Sequence, residues 1–296
     1  MPQIISGKEI GAQIRSELKQ EVTRLKEEGL APCLAVVLVG DDPASAIYVR
    51  NKKQACEELG IVSLEHRLPG TTSQMDLEAL IHSLNKNPNV HGILCQFPLP
   101  KPLNDENVIL TIHPAKDVDG LHPLNAGYLA MGKPKFISCT PLGVYQLLKR
   151  SQVNVSGKHA VIIGRSNLVG RPLSNLLSQK GCDATVTVCH SRTKNLAELT
   201  KQADILIAAI GQPEFVTPEM VGEGAVVIDV GMNRVIEPDL PKGSRLCGDV
   251  LYDAVFPKVS AITPVPGGVG PMTIAMLMYN TINAARWQSG LPAFDL

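Results

Sequence analysis

The chain has 296 residues, 44% of them apolar, with 28 Lys plus Arg balanced against 28 Asp plus Glu. The length suggests two domains with sizeable cores. Zero formal charge and 4% aromatics argue against a nucleic-acid partner, which needs a basic face and stacking platforms.

In chain order, SGKE places Ser6 and Glu9 at capping-box spacing. Ile10, Ile14, Leu18, Val22 and Leu25 follow at helical spacing. LAVVLVG, Leu34 to Gly40, reads as a buried strand, and DDPAS turns into a helix from about Ala44 to Leu59, closed by Gly60. IVSLEHR is a second strand, Ser73 to Leu84 a helix, and GILCQ, Gly92 to Gln96, a third strand stopped by FPLPKP. HPAKDVDG, His113 to Gly120, reads as a loop. The pattern then restarts. HAVIIG is a strand, Val169 to Gln179 a helix, ATVTVC a strand and Leu196 to Gln202 a short helix. ILIAAIG and AVVIDVG are further strands, and Met272 to about Gln288 a long closing helix. The alternation predicts two α/β domains, the second a Rossmann-like doubly wound parallel sheet. The expected domains are residues 1–122 with 271–296, and residues 123–270. The closing helix would pack back on the first, with a cleft between the two.

No apolar run approaches the ~18 residues of a membrane span. The opening MPQIISGKEIG lacks a basic-then-apolar signal layout, so no membrane is expected and the setting reads as cytoplasmic. Seven cysteines are scattered with no C-x-x-C pair, which suits reduced thiols. No Cys/His cluster has zinc-like spacing, and Cys189-His190 reads as a strand end, so no metal is expected.

AVIIGRSNLVG, Ala160 to Gly170, stands where a G-x-G-x-x-G fingerprint would stand, but Arg165 follows Gly164 and the middle glycine is missing. It is either an ordinary strand-to-helix turn or a phosphate loop at a helix N-terminus. The next strand ends VCHSRT, Val188 to Thr193, with no acid for a ribose hydroxyl. Ser191, Arg192, Thr193 and Arg165 instead match a phosphate dianion, so NADP fits better than NAD.

Tyr48 and Lys52 in YVRNK are four residues apart, on one helix face that is either solvated or turned to a ligand. Gln96 ends a strand, where open α/β sheets bind ligands, though a strand-end amide also suits water. Asp119 in KDVDG is either an Asx-turn residue or a two-oxygen acceptor for a fork of N–H donors. TPVPGGVGPMT, Thr263 to Thr273, holds three glycines and three prolines in eleven residues. It is a rigid connector or a tight loop close to ligand, opening the last helix through Pro271.

Taken in order, YVRNK, CQFPLP, KDVDG, GRSNLVGRP, TVTVCHSRT, VIDVGMNR and ITPVPGGVGPMT closely resemble the bifunctional methylenetetrahydrofolate dehydrogenase/methenyltetrahydrofolate cyclohydrolase family, from about Ile5 to Arg286. The resemblance implies an NADP-dependent oxidation of 5,10-methylenetetrahydrofolate to the methenyl cation, then hydrolysis to 10-formyltetrahydrofolate. It implies Lys52 as the cyclohydrolase lysine, Gln96 as its positioning amide, Tyr48 as a folate-lining ring and Asp119 as the pterin anchor. Cys95, Phe97, Pro266, Gly267, Gly268 and Pro271 fall on the folate side. Gly164, Arg165, Ser166, Ser191 and Met232 fall on the NADP side. Tetrahydrofolate derivatives as ligands and a homodimer are implied likewise. Cys95-Gln96-Phe97 departs from the family's more usual Val-Gln-Leu but keeps the amide. Two other readings are a dehydrogenase without cyclohydrolase activity, which Lys52 and Gln96 argue against, and a catalytically silent binding module, which the intact polar set argues against.

Overall fold

A computed structural model describes residues 1–237 and 243–296. In chain order the elements are β1 (Gln3–Ile4), α1 (Gly7–Glu27), β2 (Cys33–Val39), α2 (Pro43–Leu59), β3 (Val62–Leu68), α3 (Gln74–Lys86) and β4 (Gly92–Cys95). Three helices follow: α4 (Asp105–Thr111), α5 (Pro123–Ala130) and α6 (Cys139–Arg150). Then come β5 (His159–Ile163), α7 (Gly170–Leu177), β6 (Thr185–Cys189), α8 (Leu196–Thr200), β7 (Ile205–Ala208) and β8 (Val226–Asp229). The chain ends with β9 (Asn233–Ile236), β10 (Ser244–Cys247), α9 (Tyr252–Val255), β11 (Ala261–Ile262) and α10 (Val269–Gln288). No helix among the described residues is long and apolar enough to cross a membrane.

The chain divides into two compact units. One comprises Ala12–Tyr128, Pro134–Cys139 and Ile274–Leu296. Its sheet is three parallel strands in the order β3-β2-β4. β2 is buried along its whole length, as a central parallel strand covered on both faces must be. Strand β3, at the edge, is mixed. Ile14, Leu18, Val22 and Leu25 form the buried stripe of α1. Each such side chain contributes roughly 1.5–3 kcal/mol through burial. Asp42 caps α2 by accepting from Ser45 N–H at 2.7 Å, and Gly60 ends that helix at φ +79°. The last turns of α10 are tied into this unit. Asn280 Nδ2 donates to Val118 O at 2.8 Å, Gln288 Nε2 to His91 O at 2.8 Å, and Arg286 Nη1 to buried Glu21.

The other unit comprises Met1–Gly11, Leu129–Lys133 and Thr140–Thr273. Six parallel strands run in the order β1-β11-β8-β7-β5-β6. Read from β6, this is a doubly wound sheet, extended at the far edge by the N-terminal strand. The chain steps from β5 to β6, then crosses back over β5 to β7. The topological switch point therefore lies between the C-terminal ends of β5 and β7, the position where such sheets take ligands. β9 and β10 form a separate antiparallel hairpin. All seven cysteines are free and buried.

Candidate active site

Lys52 and Gln96 meet. Lys52, one helical turn after Tyr48 on α2, donates from Nζ to Gln96 Oε1 at 2.9 Å. Gln96 continues the pairing of β4, its N–H donating to Val37 O at 2.9 Å. Its Nε2 donates to Phe97 O at 2.8 Å, which turns the amide so that its oxygen faces the lysine. Burial pushes the Lys52 pKa down, because a desolvated ammonium loses hydration; the charge of Asp119 opposes that shift. Tyr48 is 43% exposed. Cys95 and Phe97 pack with Val37, Ile81 and Leu99 in the core beneath the site, Cys95 buried and Phe97 partly so.

The two aspartates of KDVDG have different surroundings. Asp117 is buried and accepts from Leu121 N–H at 3.1 Å, His122 N–H at 2.8 Å and Asn125 Nδ2 at 2.7 Å. Its pKa is raised by burial, against those hydrogen bonds. Lys116 Nζ caps the end of α3, donating to Leu84 O at 3.1 Å and Asn87 O at 2.7 Å. Ile93 N–H donates to Lys116 O at 2.8 Å, fastening the loop to β4. Asp119 is left half-buried between these anchors. Its charge also acts on the Cys139 thiol, a neighbour that sequence reading misses. Cys139 is buried, its Sγ donating to Val118 O at 3.4 Å, and burial holds the thiol well above its usual range. It is therefore a neutral donor at neutral pH.

In the other unit, Gly164 ends β5 at φ +122° and Gly170 opens α7. A Cβ on Gly164 would overlap Ala209 O, and one on Gly170 would overlap Gly164 O. Both glycines are thus required for close packing of the loop they bracket. Arg165 and Ser166 are exposed on that loop, and Ser166 Oγ accepts from Val169 N–H at 3.1 Å. Register pairs Ile163 with Cys189, so Arg165 and Ser191 follow neighbouring strand ends, each two residues on. Ser191 and Arg192 are exposed, and no acidic residue occurs in 164–170 or 189–195. This donor set fits a phosphorylated nicotinamide cofactor.

The Gly267–Gly268 loop lies against the start of α1, with Lys8 N–H donating to Gly267 O at 2.9 Å. Pro266 lies between Val265 and Gly267 in that loop, and Pro271 sits in the first turn of α10. Met232 is 44% exposed and lies beside Gly270.

A family model described as tetrahydrofolate dehydrogenase/cyclohydrolase, catalytic domain, matches residues 5–119, and the corresponding NAD(P)-binding domain matches residues 138–289. The bifunctional protein FolD of Agathobacter rectalis is 54% identical over 286 residues, 97% of this chain and 100% of that protein. The crystal structure of the bifunctional enzyme FolD from Campylobacter jejuni superposes with a TM-score of 0.91 at 49% identity, covering 96% of this chain and 99% of that one. The Trypanosoma brucei FolD structure, complexed with NADP cofactor and an inhibitor, gives 0.92 at 37% identity, covering 98% and 99%. With both domains matched in order, the chain belongs to the tetrahydrofolate dehydrogenase/cyclohydrolase family.

Proposed function

We propose that Lys52, Gln96 and Asp119 form the folate site of this enzyme, an NADP-dependent methylenetetrahydrofolate dehydrogenase and methenyltetrahydrofolate cyclohydrolase. The observation that carries the reading is the 2.9 Å bond from a desolvated Lys52 to Gln96, with the Asp119 charge acting on the same amine. Bound there, the nicotinamide of NADP would supply a hydride acceptor for the methylene carbon between two folate nitrogens. The substrate becomes a cation delocalised over both nitrogens, and no proton leaves. The dehydrogenase step thus needs no general base; it needs the reacting atoms aligned at about 3–3.5 Å.

The second step needs proton transfers. Water adds to the cation and loses a proton; the adduct's hydroxyl then loses a second as its C=O forms, the C–N bond breaks and the departing nitrogen takes one proton up. One proton is released overall. Lys52, with its pKa lowered, accepts the water proton and returns one to the nitrogen, and Gln96 holds the amine in register. Asp119 accepts the adjacent N–H and NH₂ of the aminopyrimidinone edge, a charge-assisted pair. Tyr48 lines the folate, with Cys95 and Phe97 shaping the strand end and Pro266, Gly267, Gly268 and Pro271 completing that side. Gly164, Arg165, Ser166, Ser191 and Met232 hold NADP. On this reading residues 1–122 with 271–296 bind folate and residues 123–270 bind NADP, in a cytoplasmic homodimer. Following the methenyl chromophore as it appears with NADP and then decays tests both activities at once. A chromophore that never forms would overturn the proposal, and so would one that decays at the uncatalysed rate.

A further inference from the structure

Two buried carboxylates stand behind the switch point. Asp249 is fully buried. Its Oδ2 accepts from two consecutive backbone donors at the end of β7, Ile210 N–H at 2.7 Å and Gly211 N–H at 3.0 Å. Its Oδ1 accepts from Asn233 Nδ2 at 2.9 Å. Asp229, at the end of β8, accepts from Gly231, Asp249 and Val250 N–H, each at 2.9 Å. Gly231 and Gly248 leave room for this pair. A Cβ on Gly231 would overlap Asp249 Oδ1, and a Cβ on Gly248 would overlap Asp229 Oδ2. DVG at 229–231 and GDV at 248–250 are therefore two halves of one clamp.

Consecutive N–H groups converging on one oxygen form an anion-binding nest. Here the nest at the switch point is filled by the protein's own carboxylate. The residue before it, Ala209, supplies the carbonyl against which Gly164 packs. A continuous chain of contact thus runs from Asp249 through Ile210 and Gly211 to Ala209, and on to the loop carrying Arg165 and Ser166.

We infer that Asp249 is a positioning residue for the NADP site: its carboxylate clamps the loop after β7 and so sets the wall on which the cofactor loop after β5 rests. This rests on the functional reading above, in which that loop takes NADP. It also follows that the cofactor's phosphates are left to the Gly164–Gly170 loop, since the β7 nest is already occupied.

The test uses the full-length enzyme. Asp249→Ala should raise KM for NADP by about tenfold, as expected for losing a charge-assisted pair of hydrogen bonds. KM for NAD should rise as well but by less, because the loop carries Arg165 for the 2′-phosphate along with the backbone that meets the part common to both dinucleotides. kcat should change little. Cyclohydrolase turnover, assayed without NADP, reports that the chain is folded and should hold. Asp249→Asn should restore KM, since one oxygen still serves both N–H groups and the Asn233 amide can turn over to accept from the new NH₂. If Asp249→Ala does not fold, Asp249→Ser, whose shorter hydroxyl does not reach both N–H groups, replaces it with the same expected rise. An unchanged KM in a folded variant overturns the inference, as does a parallel fall in both activities. A wild-type chain that forms no methenyl product with NADP overturns the functional reading itself, which separates the two failures.

Discussion

Lys52 and Gln96, 44 residues apart in sequence, are joined by a 2.9 Å bond between Nζ and Oε1. An amide beside a desolvated lysine holds the amine without fixing its charge, as a carboxylate would. Gln96→Glu puts a negative charge at that position, raises the Lys52 pKa and depletes the neutral amine. Lys52→Met removes the amine altogether. Both variants should lower cyclohydrolase turnover by about 10²–10⁴-fold, the usual worth of positioned proton transfer. Methenyl formation with NADP should persist. The check is the methenyl absorbance, which should accumulate rather than decay.

The Asp119 charge acts on the same lysine in the opposite sense to burial. Asp119→Asn removes the charge that favours the ammonium, so the Lys52 titration should move to still lower pH. Labelling the lysine ε-carbons and following their NMR shifts against pH measures this directly; an upward move would contradict it. Asp119→Ala should also raise the folate KM for both activities together, because the anchor serves both steps.

Arg165 is exposed, and its neighbouring strand end offers Ser191 and Arg192 without an acid. Arg165→Ala should therefore weaken NADP more than NAD. A hydrogen bond to a charged group is worth about 1.5–3 kcal/mol, or roughly ten- to a hundredfold in the ratio of the two KM values. Equal losses for both cofactors would assign Arg165 to the pyrophosphate instead.

The central strands were legible because parallel strands covered on both faces are continuous apolar runs; β2, β4 and β7 are buried throughout. The stripe of α1 was legible from its period. The two-residue strands β1 and β11 were not, because only pairing with β8 and with each other makes them strands. The short helix α5 escaped for a related reason: it carries Gly127 and shows no apolar stripe. At the site, residue type left Lys52, Gln96 and Asp119 each with two readings; only the family resemblance singled them out and paired Lys52 with Gln96, since nothing in the spacing joins them. KDVDG has two aspartates, and only the docking of its loop on β4 decides that Asp117 is buried while Asp119 is left half-buried. Cys139 carries no local signal at all; a lone cysteine before Thr-Pro becomes a neighbour of Asp119 only through folding.

The clamp also makes a prediction about stability and pH. Burial raises the Asp229 pKa from an ordinary 3.8 to about 6, with the Asp249 charge adding and three backbone donors opposing. A carboxyl whose folded pKa is raised binds its proton more tightly in the folded state. Its stabilising contribution is complete below 3.8 and is lost as pH rises through about 6. The shift corresponds to on the order of 3 kcal/mol between those limits. Asp229→Asn cannot titrate. It keeps an oxygen for Gly231 and Asp249 N–H but sets an NH₂ against Val250 N–H, so it should be the less stable protein at pH 4. Urea unfolding from pH 4 to pH 7 should then show the wild type losing ground to the variant by that amount as pH rises. A difference that stays constant, or grows in favour of the wild type, would mean that Asp229 keeps its charge across the whole range.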